Sequence, residues 1–394
     1  MLAFQDVRQR GGWVDPEFLR LRIQLRLGGG EQQVASGLIE QRAVAFEGAR
    51  VTIEILGGSE LQPVHEDAGD HLPRAAGMGA RRGDQIQMTV VQVAHGRHEH
   101  VVRLALQAFP DGELGLTIGT PVQGQDVMLI GGLVDDTQTL LVFDLACGLI
   151  EAGAERLTIV VPYFGHSTME HATHPGEVVT ARSRALLWSG LPRAPRGTRV
   201  AVLDPHSEAL PYFFPPDIHV SAIPVDALVE PIARRLGGTD FVLAAGDAGR
   251  AKWVERMAGR LGVSAGFVHK RRVAPDRTEV AALMADVKGR PVVLVDDMIR
   301  SGATLLGAAR AYRDAGATRV SVFATHGVLP GGALERLVVS GLLDALVTTD
   351  SHPRARALAG PTLEVVSVAP WIASWWLHVA GEPVAGAGVL EARS

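Results

Sequence analysis

The sequence predicts an α/β protein in which two tandem copies of one unit, each with a mostly parallel central sheet, follow an N-terminal extension of unassigned fold. Two observations carry this. Short β-branched runs at 127–130, 157–161, 199–203, 241–245, 292–295 and 320–324 alternate with helical patterns, the signature of parallel strands joined by helical crossovers. The chain also matches itself: Ala152-Gly153-Ala154-Glu155-Arg156, ahead of the 157–161 run, has a counterpart in Ala315-Gly316-Ala317-Thr318-Arg319, ahead of 320–324. The upstream runs at 127–130 and 292–295 match at nearly the same offset. Each copy reads strand, Asp-containing loop, helix, glycine stop, strand, and the glycine suits a left-handed helix C-terminus. With 394 residues, 47% of them hydrophobic and 21% charged, the chain can bury a sizeable core and is expected to hold two or three domains.

The elements divide the chain into an extension over 1–85, a first domain over 86–225 and a second over 226–394. Segment 11–100 is rich in Gly, Arg, His and Gln and holds no lysine. Within it, 51–56 and 85–93 have strand-like composition, and 63–83 reads as loop. Asp6, Arg8 and Arg10 stand where a secretion signal needs an apolar run, and no uncharged apolar stretch of about 18 residues occurs. A cytoplasmic chain without a membrane span is expected. A net charge of −5 gives no basic footprint for nucleic acid. Cys147 is the sole cysteine, which excludes a disulfide framework or cysteine metal cluster within one chain. It lies in an apolar run and is expected to pack as a small hydrophobe.

The chemistry concentrates in residues 292–304. The apolar run 292–295 leads into Asp296 and Asp297, then through Arg300 into Ser301-Gly302-Ala303-Thr304, which opens a helix. Backbone N–H groups of such a turn, together with the helix N-terminus, form an anion site to which Ser301 and Thr304 add hydroxyl donors. Two carboxylates at the strand end can accept hydrogen bonds from a vicinal diol. A sugar with a phosphate at one end satisfies both requirements; an ordinary strand-to-helix turn needs one capping acid and no more.

This segment resembles the phosphoribosyl-diphosphate binding loop of type I phosphoribosyltransferases and of ribose-phosphate diphosphokinases. Further segments resemble the diphosphokinases in the same order along the chain, over about residues 105–385. Phe109-Pro110-Asp111-Gly112-Glu113 resembles their adenine-contacting loop, and Pro162-Tyr163-Phe164-Gly165 the end of a first-domain strand. Asp204-Pro205-His206-Ser207 resembles their Asp-Leu-His motif, Asp247-Ala248-Gly249 with Lys252 their Asp-Ala-Gly-Gly-Ala-Lys turn, and His269-Lys270-Arg271-Arg272 the start of their catalytic loop. Thr325-His326-Gly327 also fits.

The resemblance implies two phosphoribosyltransferase-like domains and transfer of the diphosphoryl group of ATP to O1 of ribose 5-phosphate, with Mg²⁺ as cofactor and AMP as second product. It assigns Asp296 and Asp297 to the ribose hydroxyls and Ser301, Gly302, Ala303 and Thr304 to the 5-phosphate. Phe109, Asp111, Glu113 and His206 fall to the nucleotide, His206 and Asp247 to Mg²⁺, and Lys270 and Arg272 to the charge developing on the moving diphosphate. It further implies a homo-oligomer, dimer or hexamer, with nucleotide sites near subunit boundaries. Residues 270–290 mix charges with little periodicity and read as a mobile basic loop. The three lysines of the chain, Lys252, Lys270 and Lys288, all fall in or beside these segments.

One segment departs from the pattern. After Gly165 the family carries Arg and Gln toward the nucleotide, whereas this chain has His166-Ser167-Thr168-Met169-Glu170-His171. Arg250 stands where the family has Gly, and Arg300 where many members have Asp. These changes weaken ATP as donor more than ribose phosphate as acceptor. They leave open a homologue of altered substrate, or a silent one that binds ribose phosphates and regulates a partner. His166, His171 and His174 fit no common zinc spacing and are expected to be solvated rather than metal-bound.

Overall fold

A computed structural model describes residues 100–102, 104–109, 111–246, 249–274 and 277–379, with the strands at 23–24, 52–53 and 88–93; Asp247 and the side chains of 269–283 lie outside the described set. In chain order, β1 (Ile23–Gln24) pairs antiparallel with β2 (Thr52–Ile53), β3 (Met88–Val93) with β4 (His100–Val101), and β5 (Leu104–Ala108) with β6 (Leu114–Ile118). There follow β7 (Asp126–Gly131), α1 (Asp136–Glu151), β8 (Arg156–Val161), α2 (Thr180–Leu187), β9 (Thr198–Leu203), β10 (His219–Ile223) and α3 (Asp226–Gly237). The first sheet runs β10-β9-β8-β7-β3-β4, parallel from β10 to β7.

After α3 come β11 (Val242–Ala245), α4 (Ala251–Leu261), β12 (Ser264–Ala274), β13 (Arg277–Met284), β14 (Pro291–Ile299), α5 (Ala303–Asp314) and β15 (Arg319–Gly327). Then follow α6 (Ala333–Val339), β16 (Ala345–Thr349), α7 (Pro353–Ala357), β17 (Glu364–Val366) and α8 (Ala369–Val379). The second sheet runs β13-β12-β11-β14-β15-β16-β17, parallel except for the β12–β13 hairpin. The α/β class and the two mostly parallel sheets agree with the sequence pattern.

The internal repeat is visible bond by bond. The N–H groups of Ala152, Gly153 and Ala154 donate to the carbonyls of Gly148, Ile150 and Leu149; those of Ala315, Gly316 and Ala317 donate to Ala311, Arg313 and Tyr312. Both glycines sit in the left-handed region, at φ +91° and +93°, which an L side chain reaches only at a cost. The correspondence continues at the far strands. Asp204 N–H donates to the Ile223 carbonyl, and Asp350 N–H to that of Val366, so Asp204-Pro205-His206 and Asp350-Ser351-His352 occupy equivalent turns. The duplication is incomplete where the chemistry lies: matching β7 on β14 places Gly131-Gly132 opposite Asp296-Asp297.

Among the described residues the side chains form three apolar cores. Val127, Leu145, Ile159 and Trp188 belong to one outside the first sheet, and Val292, Leu305, Tyr312 and Val322 to one outside the second. Between the sheets, α3, α4 and α8 contribute Val229, Met257 and Trp376 to a shared core with Met128, Phe241 and Phe323. Trp371 Nε1 donates to the Pro224 carbonyl at 2.6 Å, and Arg235 pairs with Glu364 at 2.6 Å. This central layer sets the strand ends of the two domains against each other.

One element differs from its sequence reading. The stretch expected to be an irregular loop from 270 onward begins as the β12–β13 hairpin, with Lys270 opposite Val280 and Arg272 opposite Thr278. Val268, Val273, Thr278 and Val280 favour extended pairing despite the charges between them. The register shifts at His269/Lys270 and at Arg272/Ala274 record the irregularity that hid the strands.

Candidate functional site

Beyond the C-terminal end of β14 lies an open pocket of about 270 Å³, lined by Asp296, Asp297, Arg300, Ser301, Gly302 and Thr304 from the second domain and by Thr168 and His206 from the first. Its floor is the turn from β14 into α5. Gly302 is the residue before the helix, at φ +80°, and a Cβ there would come within 2.8 Å of the Leu337 side chain. Both facts require glycine. The turn thereby presents the first amides of α5, a ready-made anion site. Asp296 is half-buried and its Oδ1 accepts the Asp297 N–H at 3.0 Å. Arg300 reaches across the mouth and donates to Thr168 Oγ1 at 3.2 Å.

Asp297 is buried and held from two sides. His206 Nδ1 lies 2.6 Å from its Oδ2, and Arg250 Nε lies 3.8 Å from its Oδ1. Arg250 also donates to Asp204 Oδ1 at 2.6 Å, while the Thr325 hydroxyl donates to Asp204 Oδ2. Burial opposes ionisation of Asp297, but the His206 hydrogen bond and the Arg250 charge outweigh it and hold its pKa down at about 2. The Asp297 hydrogen bond raises His206 against the opposing effect of burial, with further help from Glu170 and Asp296. Asp204 adopts φ +40°, a conformation costly for a non-glycine residue. Its side chain is fixed by Arg250 and Thr325, and its carbonyl lies 3.2 Å from His326 Nε2.

Beneath this network the interface is aromatic. Tyr163 packs edge-on against His326 at 5.2 Å and His352 at 4.9 Å between ring centroids. Burial lowers the pKa of both imidazoles, that of His352 to about 4, so both are neutral near pH 7. Beside the pocket runs the unusual first-domain loop. Glu170 Oε2 is buried and makes no hydrogen bond among the described residues, and Glu170 acts electrostatically to raise the pKa of His206. His166, His171 and His174 pair with three separate acids, Asp136, Glu170 and Glu177. Among the described residues, no group of three or more His, Cys, Asp or Glu converges on a metal position.

The structure thus brings together Asp296, Asp297, Ser301, Gly302, Thr304 and His206, with Ala303 in the first turn of α5. Phe109, Asp111 and Glu113 lie elsewhere, in the β5–β6 turn, where the Glu113 N–H bonds Asp111 Oδ1 at 3.1 Å; none lines the pocket. Asp247 and the side chains of Lys270 and Arg272 lie outside the described residues. Sequence reasoning passed over Asp204, Thr325 and Thr168 as site residues, and did not anticipate that Arg250 would join Asp204 to Asp297. The Asp-x-His turn repeated at Asp350 was a signal for the first of these. Among the described residues, no helix is long and apolar enough to cross a membrane.

Residues 82–189 match the family described as the N-terminal domain of ribose phosphate pyrophosphokinase, and residues 260–374 the phosphoribosyl synthetase-associated domain. The chain is 32% identical over 269 residues to the ribose-phosphate pyrophosphokinase of Campylobacter jejuni, covering 67% of this chain and 84% of that one. It is 34% identical over 282 residues to that of Helicobacter hepaticus (69% and 85%), and 32% over 289 residues to that of Hyphomonas neptunium (72% and 90%). The crystal structure of phosphoribosylpyrophosphate synthetase from Mycobacterium smegmatis superposes with a TM-score of 0.63 at 27% identity, over 72% of this chain and 92% of that one.

Proposed function

Because the chain belongs to the ribose-phosphate pyrophosphokinase family of diphosphotransferases, we propose that it moves the β,γ-diphosphoryl group of ATP onto O1 of ribose 5-phosphate in the cytoplasm, releasing AMP. The observation that carries this reading is the pocket at the domain junction, where two carboxylates and a helix-opening turn stand side by side. The first amides of α5 with Ser301 and Thr304 take the 5-phosphate, while Asp296 and Asp297 accept the ribose hydroxyls. O1 then faces the first domain, on the side of His206 and Thr168. Positioning of this kind supplies much of the rate in phosphoryl transfer. Lys270 and Arg272, carried on the β12–β13 hairpin, stabilise the charge on the diphosphoryl group as it passes from AMP to O1.

Mg²⁺ suits the donor set. It prefers oxygen ligands and is commonly held by one or two carboxylates plus substrate phosphates, and Asp296 and Asp297 line the pocket as such carboxylates. The family resemblance gives Asp247 and His206 to the ion brought in with ATP, Asp247 as an oxygen ligand and His206 beside it. When bound, it neutralises charge on the moving group. Phe109, Asp111 and Glu113 serve the adenine, in a homo-oligomer that brings a β5–β6 turn to the site.

Glu170 favours a second reading, a donor other than ATP, because a carboxylate beside His206 opposes a triphosphate. AMP release measured with ATP, Mg²⁺ and ribose 5-phosphate tests the proposal: release that requires both substrates is expected. None from folded protein at high concentration would overturn ATP as donor.

A further inference from the structure

Arg250 is the residue before α4, and its side chain is 15% exposed. It joins the domains. One end donates to Asp204 of the first-domain turn, Nε faces Asp297 at the end of β14, and Cζ lies over the Trp253 ring, 5.3 Å from its centre. Asp204 and Asp297 are 9% and 5% exposed. Two buried carboxylates sharing one neighbour repel each other and lose hydration, so such a pair needs a cation between them. A divalent ion is one solution. Here the chain supplies its own, fixed at a separation that leaves the opposite oxygen of each acid to a further donor: Thr325 for Asp204, His206 for Asp297.

We propose that Arg250 is a positioning residue that takes the place of a bound cation between Asp204 and Asp297, so that the ribose 5-phosphate pocket is assembled without a divalent ion. The proposal rests on the reading of that pocket given above. It assigns the divalent ion to the nucleotide side of the reaction, and it makes acceptor binding a property of the protein alone. A guanidinium suits this task better than an ammonium, because its planar fork addresses two acids at once while its charge lies over an indole.

Calorimetric titration of ribose 5-phosphate into the full-length chain, treated with chelator and then supplied with Mg²⁺, tests this apart from turnover. The wild type is expected to bind in chelator, with a change of less than about three-fold on adding Mg²⁺, roughly 0.7 kcal/mol or less. Arg250→Gln is expected to lose about 10- to 100-fold in chelator, the range of supporting residues at bound-ion sites. It should regain affinity with Mg²⁺ or methylguanidinium, and not with sodium chloride at equal ionic strength. Arg250→Lys retains the charge and recovers part of the loss, and thermal melts confirm that each variant is folded. A folded Arg250→Gln that binds like the wild type in chelator overturns the proposal, as does a wild type that binds only with Mg²⁺. A wild type that binds ribose 5-phosphate in neither condition contradicts the pocket's assignment itself. Binding with no AMP release contradicts the donor reading and leaves this inference standing.

Discussion

His206 Nδ1 and Asp297 Oδ2 lie 2.6 Å apart across the domain junction, although 91 residues separate them in the chain. A site built from both domains depends on such contacts, and this one is titratable. The groups acting on His206 are Asp297, Asp296 and Glu170, and Arg250 faces Asp297 from the other side.

The pair's contribution to stability has a defined pH window. The folded pKa of His206 is raised above its ordinary 6.5, so its contribution is full below that value and is lost as pH climbs through the raised one. The pKa of Asp297 is lowered from 3.8 to about 2, so its contribution is full above 3.8 and is lost as pH falls through about 2. Stabilisation is therefore greatest between these limits. Asp297→Asn should return His206 toward its ordinary pKa, read by NMR titration of the imidazole, and should flatten the alkaline decline in melting temperature.

Gly302→Ala should damage both fold and function. The substitution forces an L side chain to φ +80° and drives its Cβ to within 2.8 Å of Leu337. The backbone alone costs about 1–2 kcal/mol, and moving Leu337 adds to it. Denaturant melts should show that loss, and KM for ribose 5-phosphate should rise more than KM for ATP.

How much of this was legible from sequence depends on whether a feature is local. The turn at Asp296–Thr304 and the glycine stops at Gly153 and Gly316 are set by neighbouring residues, so their patterns announce them. The His206 and Asp297 segments were recognised separately, but their union depends on the central core that packs α3 and α8 between the sheets. Arg250 was visible only as an oddity, because its partners lie 46 and 47 positions away. The β12–β13 hairpin was hidden for another reason: the consecutive charges at 270–272 and the register shifts mask its period.

Tyr312→Phe should stabilise the protein. The Tyr312 hydroxyl is buried and makes no hydrogen bond among the described residues. Its ring packs in the outer core of the second domain. An unsatisfied buried hydroxyl costs about 1–3 kcal/mol, and its removal leaves the ring packing in place. A melting temperature higher by a few degrees is expected, with kinetics unchanged.

Lys270→Arg should reduce kcat at least about ten-fold, and Lys270→Ala by about 10²–10³, the range for losing one group that stabilises transition-state charge. Arg271→Lys should cost far less. A chain that uses arginine for all but three of its 38 basic residues keeps a compact ammonium at this point. Equal losses at 270 and 271 would remove that interpretation.

The central claim, diphosphoryl transfer from ATP to O1 of ribose 5-phosphate, is tested most directly by ³¹P NMR of the reaction mixture. The account predicts equal formation of AMP and a pyrophosphate ester bonded to the anomeric carbon, with no ADP at early times. ADP with a ribose bisphosphate, or unchanged ATP beside folded protein, would contradict it.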